Sequence, residues 1–455
     1  MGGVGEVWGR SAAAGGPALV TVGGSPGLGK TRMASEFVAS VAERALVLEA
    51  KCDPAGTATY APIADALRIT AAISDTASAD EVVRAFDVLT PEAVADRARV
   101  AKLLASLVGV GDPAPPEETF WAVRRLLEGL ASERPVVVVV DDVHWAEPML
   151  LDLLEHIVEW ARHAAIVIVA LARPEIREVR PALLDADAII LEGLDPDDTA
   201  SLALSLLGAH DLPEALVHRI LASTEGNPLF VRELLRMLVD DGVLSREGDR
   251  WVVTIEADDI DVPPTIHALL SARIERLRED ERAVVERAAV VGKEFYRGAV
   301  MELVPPAVRP AIDSHLENLR RKELVEPEGT YWIDERVFRF HHVLIRDAAY
   351  RRLLKEARAE LHERFAQWLE AKVGELVGEH SEVLGYHLEQ AYSYLKDLGP
   401  LDERTASLGR RASGHLAAAV RRALDRDDLA AAENLSGRAL ALSDDDALRA
   451  QLLLD

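Results

Sequence analysis

The residues Gly24-Ser25-Pro26-Gly27-Leu28-Gly29-Lys30-Thr31 satisfy the pattern G-x-x-x-x-G-K-[ST] at every fixed position. Glycines at these places let the backbone curl so that successive N–H groups point at a phosphate, and a helix starting at the loop adds its positive end. Lys30 would reach the β- and γ-phosphates, and the Thr31 hydroxyl would ligate Mg²⁺. About 110 residues further on, Asp141 and Asp142 close a run of valines, Val136 to Val140. In that position Asp141 can hold Mg²⁺, directly or through water, and Asp142 can orient or deprotonate an attacking water. A plain strand-ending turn would also use two aspartates. Arg173, before Pro174, ends the apolar run Ala165 to Ala172. It can reach a γ-phosphate and report its presence, or it is a surface arginine ahead of a proline turn.

The elements that must position these groups are legible around them. The run Ala18-Leu19-Val20-Thr21-Val22 precedes the glycine loop, and helical spacing follows from Arg32 to Arg44. Ala45 to Ala50, Pro135 to Val140, Ala165 to Ala172 and Ala188 to Leu191 read as further strands. Unbroken valines indicate a strand buried on both faces, and strands alternating with helices imply a three-layer, mostly parallel α/β sheet. Ligands in such folds sit at the carboxyl ends of the strands, where both aspartates fall. Residues 1–16 are Gly/Ala-rich and read as a linker. Cys52 to Pro62 is turn-rich, and 63–132 is helical with a break at Gly109 to Pro116.

Asp197 to Asp240 reads as helical around the break Glu225-Gly226-Asn227-Pro228, where Pro228 fits the first position of a helix. Residues 263–325 are read as helical, followed by a β-hairpin of Tyr331 to Ile333 and Val337 to Phe340, with Arg320, Arg321 and Lys322 just ahead of it. Three helices and a hairpin suggest a winged helix. The remainder, 342–455, is helical, and Leu408 to Leu442 suits a helical hairpin of the TPR kind with Asp425 to Asp428 as its turn. The apolar end at Gln451 to Asp455 lacks a polar capping face, so the array is expected to be incomplete.

At 455 residues the chain calls for about three domains or more. A formal charge of −26 argues against a general coat for nucleic acid. One cysteine, Cys52, permits neither an intramolecular disulfide nor a cysteine-built zinc site. No apolar run reaches the roughly 18 to 20 residues that span a bilayer, and the expected location is cytoplasmic.

With these pieces in order the chain resembles the STAND class of AAA-like, origin-recognition-like P-loop ATPases, found as modules of bacterial LuxR-type regulators and cyclase-associated ATPases. The resemblance rests on GGSPGLGKTR (23–32), KCDPAGTATYAPIADALR (51–68), VVVVVDDVHWAEP (136–148), ALARPE (170–175), TEGNPLFVREL (224–234) and FRFHHVLIRDAAYRRLL (338–354). It implies that Arg32 completes the nucleotide loop, that Pro228 packs near the base, and that His342, more than His341, contacts the β-phosphate of ADP. His144 and Trp145 are expected to pack the strand end. Family members open with an adenine-side helix, whose end this chain meets around Val7 and Trp8.

The layout expected is an α/β P-loop NTPase domain over 1–194, a helical lid over 195–255, a winged-helix-like domain over 256–341 and a TPR-like helical region over 342–455. The expected activity is an ATP/ADP switch with weak, Mg²⁺-dependent hydrolysis, self-association in the ATP state and a protein partner on the C-terminal helices. The alternatives are a DNA-associated AAA-type ATPase, with Arg320, Arg321 and Lys322 on the duplex, and a protein-binding scaffold.

Overall fold

The computed structural model describes residues 2–442 except 53–58, 75–76, 185–187, 210–213, 248–249, 255–262, 333–334, 379, 401 and 426–427. The chain starts with α1 (Gly2–Ala14), then β1 (Ala18–Gly23), α2 (Lys30–Val41), β2 (Leu46–Lys51) and four helices, α3 (Ala61–Thr70), α4 (Ala79–Leu89), α5 (Arg97–Leu107) and α6 (Pro116–Glu133). It continues through β3 (Val136–Asp141), α7 (Pro148–Trp160), β4 (Ile166–Ala172), the single turn α8 (Ile176–Val179) and β5 (Ile189–Ile190). The strands form one parallel sheet in the order β2-β3-β4-β1-β5.

The valine run explains the layering. Val136, Val138 and Val140 enter one core with α3 to α7, whereas Val137 and Val139 enter the opposite core with α1 and α2. A strand alternates its side chains between two faces, so an uninterrupted apolar run is what a doubly covered central strand requires. Because β4 lies between β1 and β3, the segments leaving all three strands meet on one edge.

Residues 1–16 are not a linker. Val4, Val7 and Trp8 lie on one face of α1 and are buried against the sheet, Trp8 edge-on to Phe37 at 6.4 Å. Spacing of three and four residues supplied a helical stripe that the glycine-rich composition masked. The helical stretch before β3 also breaks at 71–74 and 90–96 as well as at 108–115.

Beyond the sheet come α9 (Pro196–Leu207), α10 (Glu214–Thr224), α11 (Pro228–Asp240) and a short hairpin, β6 (Leu244–Glu247) with β7 (Arg250–Val253), which the sequence pattern does not announce. Next are α12 (Ile266–Glu275), α13 (Glu279–Val291), β8 (Glu294–Tyr296), α14 (Arg297–Leu303), α15 (Ile312–Arg321), β9 (Val325–Trp332) and β10 (Glu335–Phe340). The stretch read as wholly helical thus contains a strand, β8, that joins β10 and β9 in an antiparallel sheet of order β8-β10-β9. One buried cluster runs from Ala203 to Ala349, so α9 to α16 share a core. In that count α16 (Val343–Arg352) is the helix that starts at His342.

The chain ends, among the described residues, in α17 (Lys355–Val373), α18 (Ser381–Leu398), α19 (Glu403–Leu424) and α20 (Leu429–Leu442) around a third core. Helices α19 and α20 pack as a hairpin within the segment expected to hold one. Its turn is only partly described, and Gln451 to Asp455, part of the Cys52 to Pro62 connection, the hairpin tip at Ile333 and the 255/256 boundary lie outside the described residues. No helix among the described residues is long and apolar enough to cross a membrane.

Candidate functional site

The glycine loop connects β1 to α2 with Gly27 at φ +88° and Gly29 at φ +91°, left-handed conformations that side chains disfavour. Lys30 curls over the loop, its Nζ donating to the carbonyls of Gly24 at 2.7 Å and Ser25 at 3.1 Å. Thr31 Oγ1 donates to Asp141 Oδ2 at 3.2 Å, which brings together the hydroxyl and the carboxylate singled out as metal ligands. Leu28 packs over Gly24 and donates its N–H to Ser25 at 3.4 Å. Arg32 lines the cleft but is solvent-exposed, 3.9 Å from Glu36.

Asp141 ends β3, and burial together with the neighbouring Asp142 charge raises its pKa. Asp142 has φ +54°, and its N–H donates to Asp141 Oδ1 at 2.8 Å. Burial pushes the Asp142 carboxyl up, but Lys293, His144 and Arg173 outweigh it and the net direction is down. The two adjacent carboxyls are therefore shifted in opposite directions. Arg173 follows β4 into the same cleft and, after burial, is the main charge lowering the pKa of Lys30.

His144 is buried at this edge, Nε2 4.0 Å from Asp142 Oδ1, with neither ring nitrogen hydrogen-bonded. Burial and Arg173 bring it to about 4. Trp145, expected to pack the strand end as well, is 45% exposed and touches the His144 ring at 5.1 Å. Only the histidine fills that role.

The opposite wall comes from the other cores. Asn227 caps α11 by accepting from the N–H groups of Leu229 and Phe230, while its Nδ2 donates to Pro26 O at 3.1 Å. Leu229 N–H also donates to Gly27 O at 3.3 Å, so the helix N-terminus and Pro228 sit directly against the loop. A Cβ on Gly27 would lie 2.7 Å from Asn227 Oδ1, and glycine permits the contact. Asn227→Ala removes one cap and one loop contact. An effect of about 1 kcal/mol on the unfolding of this unit is expected, with faster ligand release from the loop, readable by urea titration and stopped-flow.

His342 is half-buried at the N-terminus of α16, and its Nδ1 accepts from Leu344 N–H at 3.1 Å. A neutral ring so held carries its proton on Nε2, a donor for an anion. Burial, then Lys293 and Arg173, lower its pKa to about 3. His341 instead faces Arg232 at 3.1 Å and Glu326 at 3.8 Å. Of the adjacent pair, His342 has the surroundings of an anion contact.

The sequence pattern does not point to Lys293, whose Nζ lies 3.3 Å from Asp142 Oδ2. Nothing in Gly292-Lys293-Glu294 marks it, since its partner is 151 residues away. Asn227 and Arg232 were missed too, although both lie inside TEGNPLFVREL and are recoverable from that motif. Each of the cations considered for DNA has a side-chain partner. Arg320 pairs with Glu317 at 2.7 Å, Arg321 meets Asn318 at 2.5 Å and Lys322 pairs with Glu281 at 2.6 Å.

Lys30, Thr31, Asp141, Asp142, Arg173, Pro228, Lys293 and His342 line one cleft of about 1130 Å³. Lys30, Arg173, Lys293 and the Nε2 side of His342 converge on it; the Arg173 charge lowers the pKa of Lys30, and Lys293, Arg173 and Lys30 lower that of His342. The glycine cradle, the Thr31–Asp141 pair and this excess of donors fit a Mg²⁺-bound nucleoside polyphosphate. Among the described residues there is no cluster of three or more His, Cys, Asp or Glu that could hold a metal ion. The fit therefore uses the mixed hydroxyl, carboxylate and phosphate shell that Mg²⁺ favours.

The depressed histidines set a pH dependence. His144 (about 4) and His342 (about 3) lie below their unfolded value near 6.5, so below that pH the unfolded chain binds more protons and stability falls as pH drops towards 3. Chemical denaturation at pH 7, 6 and 5 should give decreasing stability, and His342→Asn, which keeps a cap, should flatten the slope.

Comparison with known proteins agrees with this geometry. The family described as AAA ATPase domain matches residues 9–169, and a domain family of unknown function matches 196–251. An uncharacterized protein of Rhizobium meliloti (strain 1021) is 26% identical over 412 residues, 85% of this chain and 38% of that protein. Among solved structures, a Signal Transduction ATPase with Numerous Domains (STAND) protein with a tetratricopeptide repeat sensor, from Pyrococcus horikoshii, superposes with a TM-score of 0.54 at 16% identity. That match covers 98% of this chain and 55% of the other. The chain thus spans 38% and 55% of the lengths of these two relatives. With the glycine loop and the paired aspartates, residues 9–169 are similar to the AAA ATPase domain family, and the chain shares the fold of that STAND protein.

Proposed function

We propose that the chain is a nucleotide-operated conformational switch, binding ADP and ATP with Mg²⁺ in the cleft between the α/β domain and the helical and sheet-bearing units beyond it. The observation that carries the reading is the two-sided construction of the cleft. The loop, Thr31, Asp141, Asp142 and Arg173 come from one unit, and Asn227, Pro228, Lys293 and His342 from the rest. A ligand gripped from both sides changes the relative stability of closed and open arrangements.

In this reading Lys30 and the loop N–H groups hold the phosphates, and His342 Nε2–H donates to the β-phosphate. Thr31 and Asp141 would hold Mg²⁺, which neutralises phosphate charge. Asp142 accepts a proton from the attacking water, Arg173 answers the γ-phosphate, and turnover is slow because regulation needs a long-lived state. Helices α13 to α15 with the β8-β10-β9 sheet act as a winged-helix clamp, α9 to α11 as the lid, and the C-terminal helices as a TPR-like docking array for a protein partner. Release of the clamp exposes a surface for self-association, in a cytoplasmic signalling role.

The test is calorimetry with ADP and a non-hydrolysable ATP analogue, each with Mg²⁺, followed by light scattering. Micromolar binding of both and a larger assembly with the analogue are expected. Binding of neither would sink the proposal.

A further inference from the structure

Two neighbouring residues, Lys293 and Glu294, cross-pair with two neighbouring strand ends. Lys293 Nζ lies 3.3 Å from Asp142 Oδ2, and Glu294 forms an ion pair with Lys51. Lys51 ends β2 in register with Asp141 at the end of β3. The charges are reversed between the two pairs, so the dipeptide can dock on that edge in one orientation only. The arrangement is held from behind as well. Lys293 C=O accepts from Phe340 N–H at 2.9 Å, and Glu294 pairs with Arg339 in the sheet, two and three residues before His342. Lys293 and His342 therefore move as one piece.

The two pairs differ in what lies around them. Glu294 and Lys51 are at the rim, with side chains 42% and 34% exposed. Lys293 and Asp142 are at 24% and 18%, within the electrostatic reach of Lys30, Arg173 and His342. We propose that Lys293 is a nucleotide-discriminating latch, which ties the middle unit to Asp142 and is opened when the γ-phosphate of a nucleoside triphosphate competes for the space that Lys293 Nζ takes beside Asp142. A diphosphate lacks the competing anion and leaves the bond in place. Lys293 acts as a positioning residue, since it sets where Asp142 and His342 stand relative to each other. The inference rests on the reading of the cleft as a nucleotide site.

The experiment compares the full chain with Lys293→Ala, Lys293→Arg and Glu294→Gln, measuring affinities for ADP and a non-hydrolysable ATP analogue with Mg²⁺. In the wild type the triphosphate must break the latch. Lys293→Ala should therefore shift the affinity ratio towards the triphosphate by about fivefold, the worth of one partly screened ion pair. Lys293→Arg should restore most of the wild-type ratio, and Glu294→Gln should lower thermal stability while leaving the ratio unchanged. An unaltered ratio in Lys293→Ala, equal weakening of both ligands, or an equal shift in Glu294→Gln would overturn the latch.

Failure of the wild type to bind either nucleotide would instead overturn the reading of the cleft. The cross-domain bond is read separately, from a double-mutant cycle of Lys293→Ala with Asp142→Asn in nucleotide-free unfolding. Additive effects there would mean that no bond is made.

Discussion

Lys30→Ala is expected to lower the affinity for ADP and Mg-ATP by about a hundredfold while leaving the nucleotide-free fold intact. The Lys30 ammonium is bonded only to the carbonyls of Gly24 and Ser25, at 2.7 and 3.1 Å, so its removal opens no apolar core. It takes away the point charge at the centre of the loop. One or two charge-assisted hydrogen bonds are worth about 1.5–3 kcal/mol each, which gives the hundredfold loss. The variant also relieves the mutual repulsion of Lys30 and Arg173. Its melting temperature without nucleotide should therefore be equal to or slightly above that of the wild type. Lys30→Arg should recover little, because a planar guanidinium does not fit a loop shaped around a compact ammonium. Calorimetry and circular dichroism on the same samples separate binding from folding, and an unchanged affinity in Lys30→Ala would remove the basis for the nucleotide reading.

Glu233→Ala is expected to destabilise the middle unit by about 3–5 kcal/mol, the range for leaving one member of a buried ion pair alone. Glu233 on α11 is fully buried and pairs with Arg273 on α12, whose other amino group donates to Lys322 C=O. Burial lowers the Arg273 pKa, and Glu233 supplies the counter-charge that offsets the desolvation of the guanidinium. The pair ties the lid helices to the helices that lead to Lys293 and His342. Loss of Glu233 should weaken nucleotide binding even though neither residue lines the cleft. Glu233→Leu with Arg273→Met should restore much of the stability, since a well-packed apolar pair is often equal to or better than a buried ion pair. Denaturant titration followed by the fluorescence of Trp251, which packs against this core, checks both outcomes. A loss below about 1 kcal/mol in the single variant would place the pair among solvent-screened contacts.

Particular elements tell how far the chain could be read before its fold. The loop at Gly24 to Thr31, the valine strand and the paired aspartates were plain, because each depends on the residue types immediately beside it. The helical nature of α1 was present in Val4, Val7 and Trp8, but a thirteen-residue segment rich in glycine carries too little propensity to decide without the sheet it covers. Strand β8 is three residues long and has no period to detect, existing because β10 offers it hydrogen bonds. Pro228 and His342 entered through family resemblance, and the reason for their placement became visible only when α11 and α16 were seen to start at the cleft.

By itself, then, the sequence determined the glycine loop, the paired carboxylates at the end of β3, the parallel sheet and the helical character of most of the chain beyond that sheet. Those features arise from backbone conformation and from periods of two and three to four residues, which act over short stretches of chain. The tertiary structure alone decided that Lys293 faces Asp142, that Asn227 grips the loop at Pro26, that the His342 ring caps α16 through Nδ1, and that Glu233 holds Arg273. Charge pairing and hydrogen bonding depend on distance through space, and neither leaves a period in the chain when the partners are 40 to 201 residues apart.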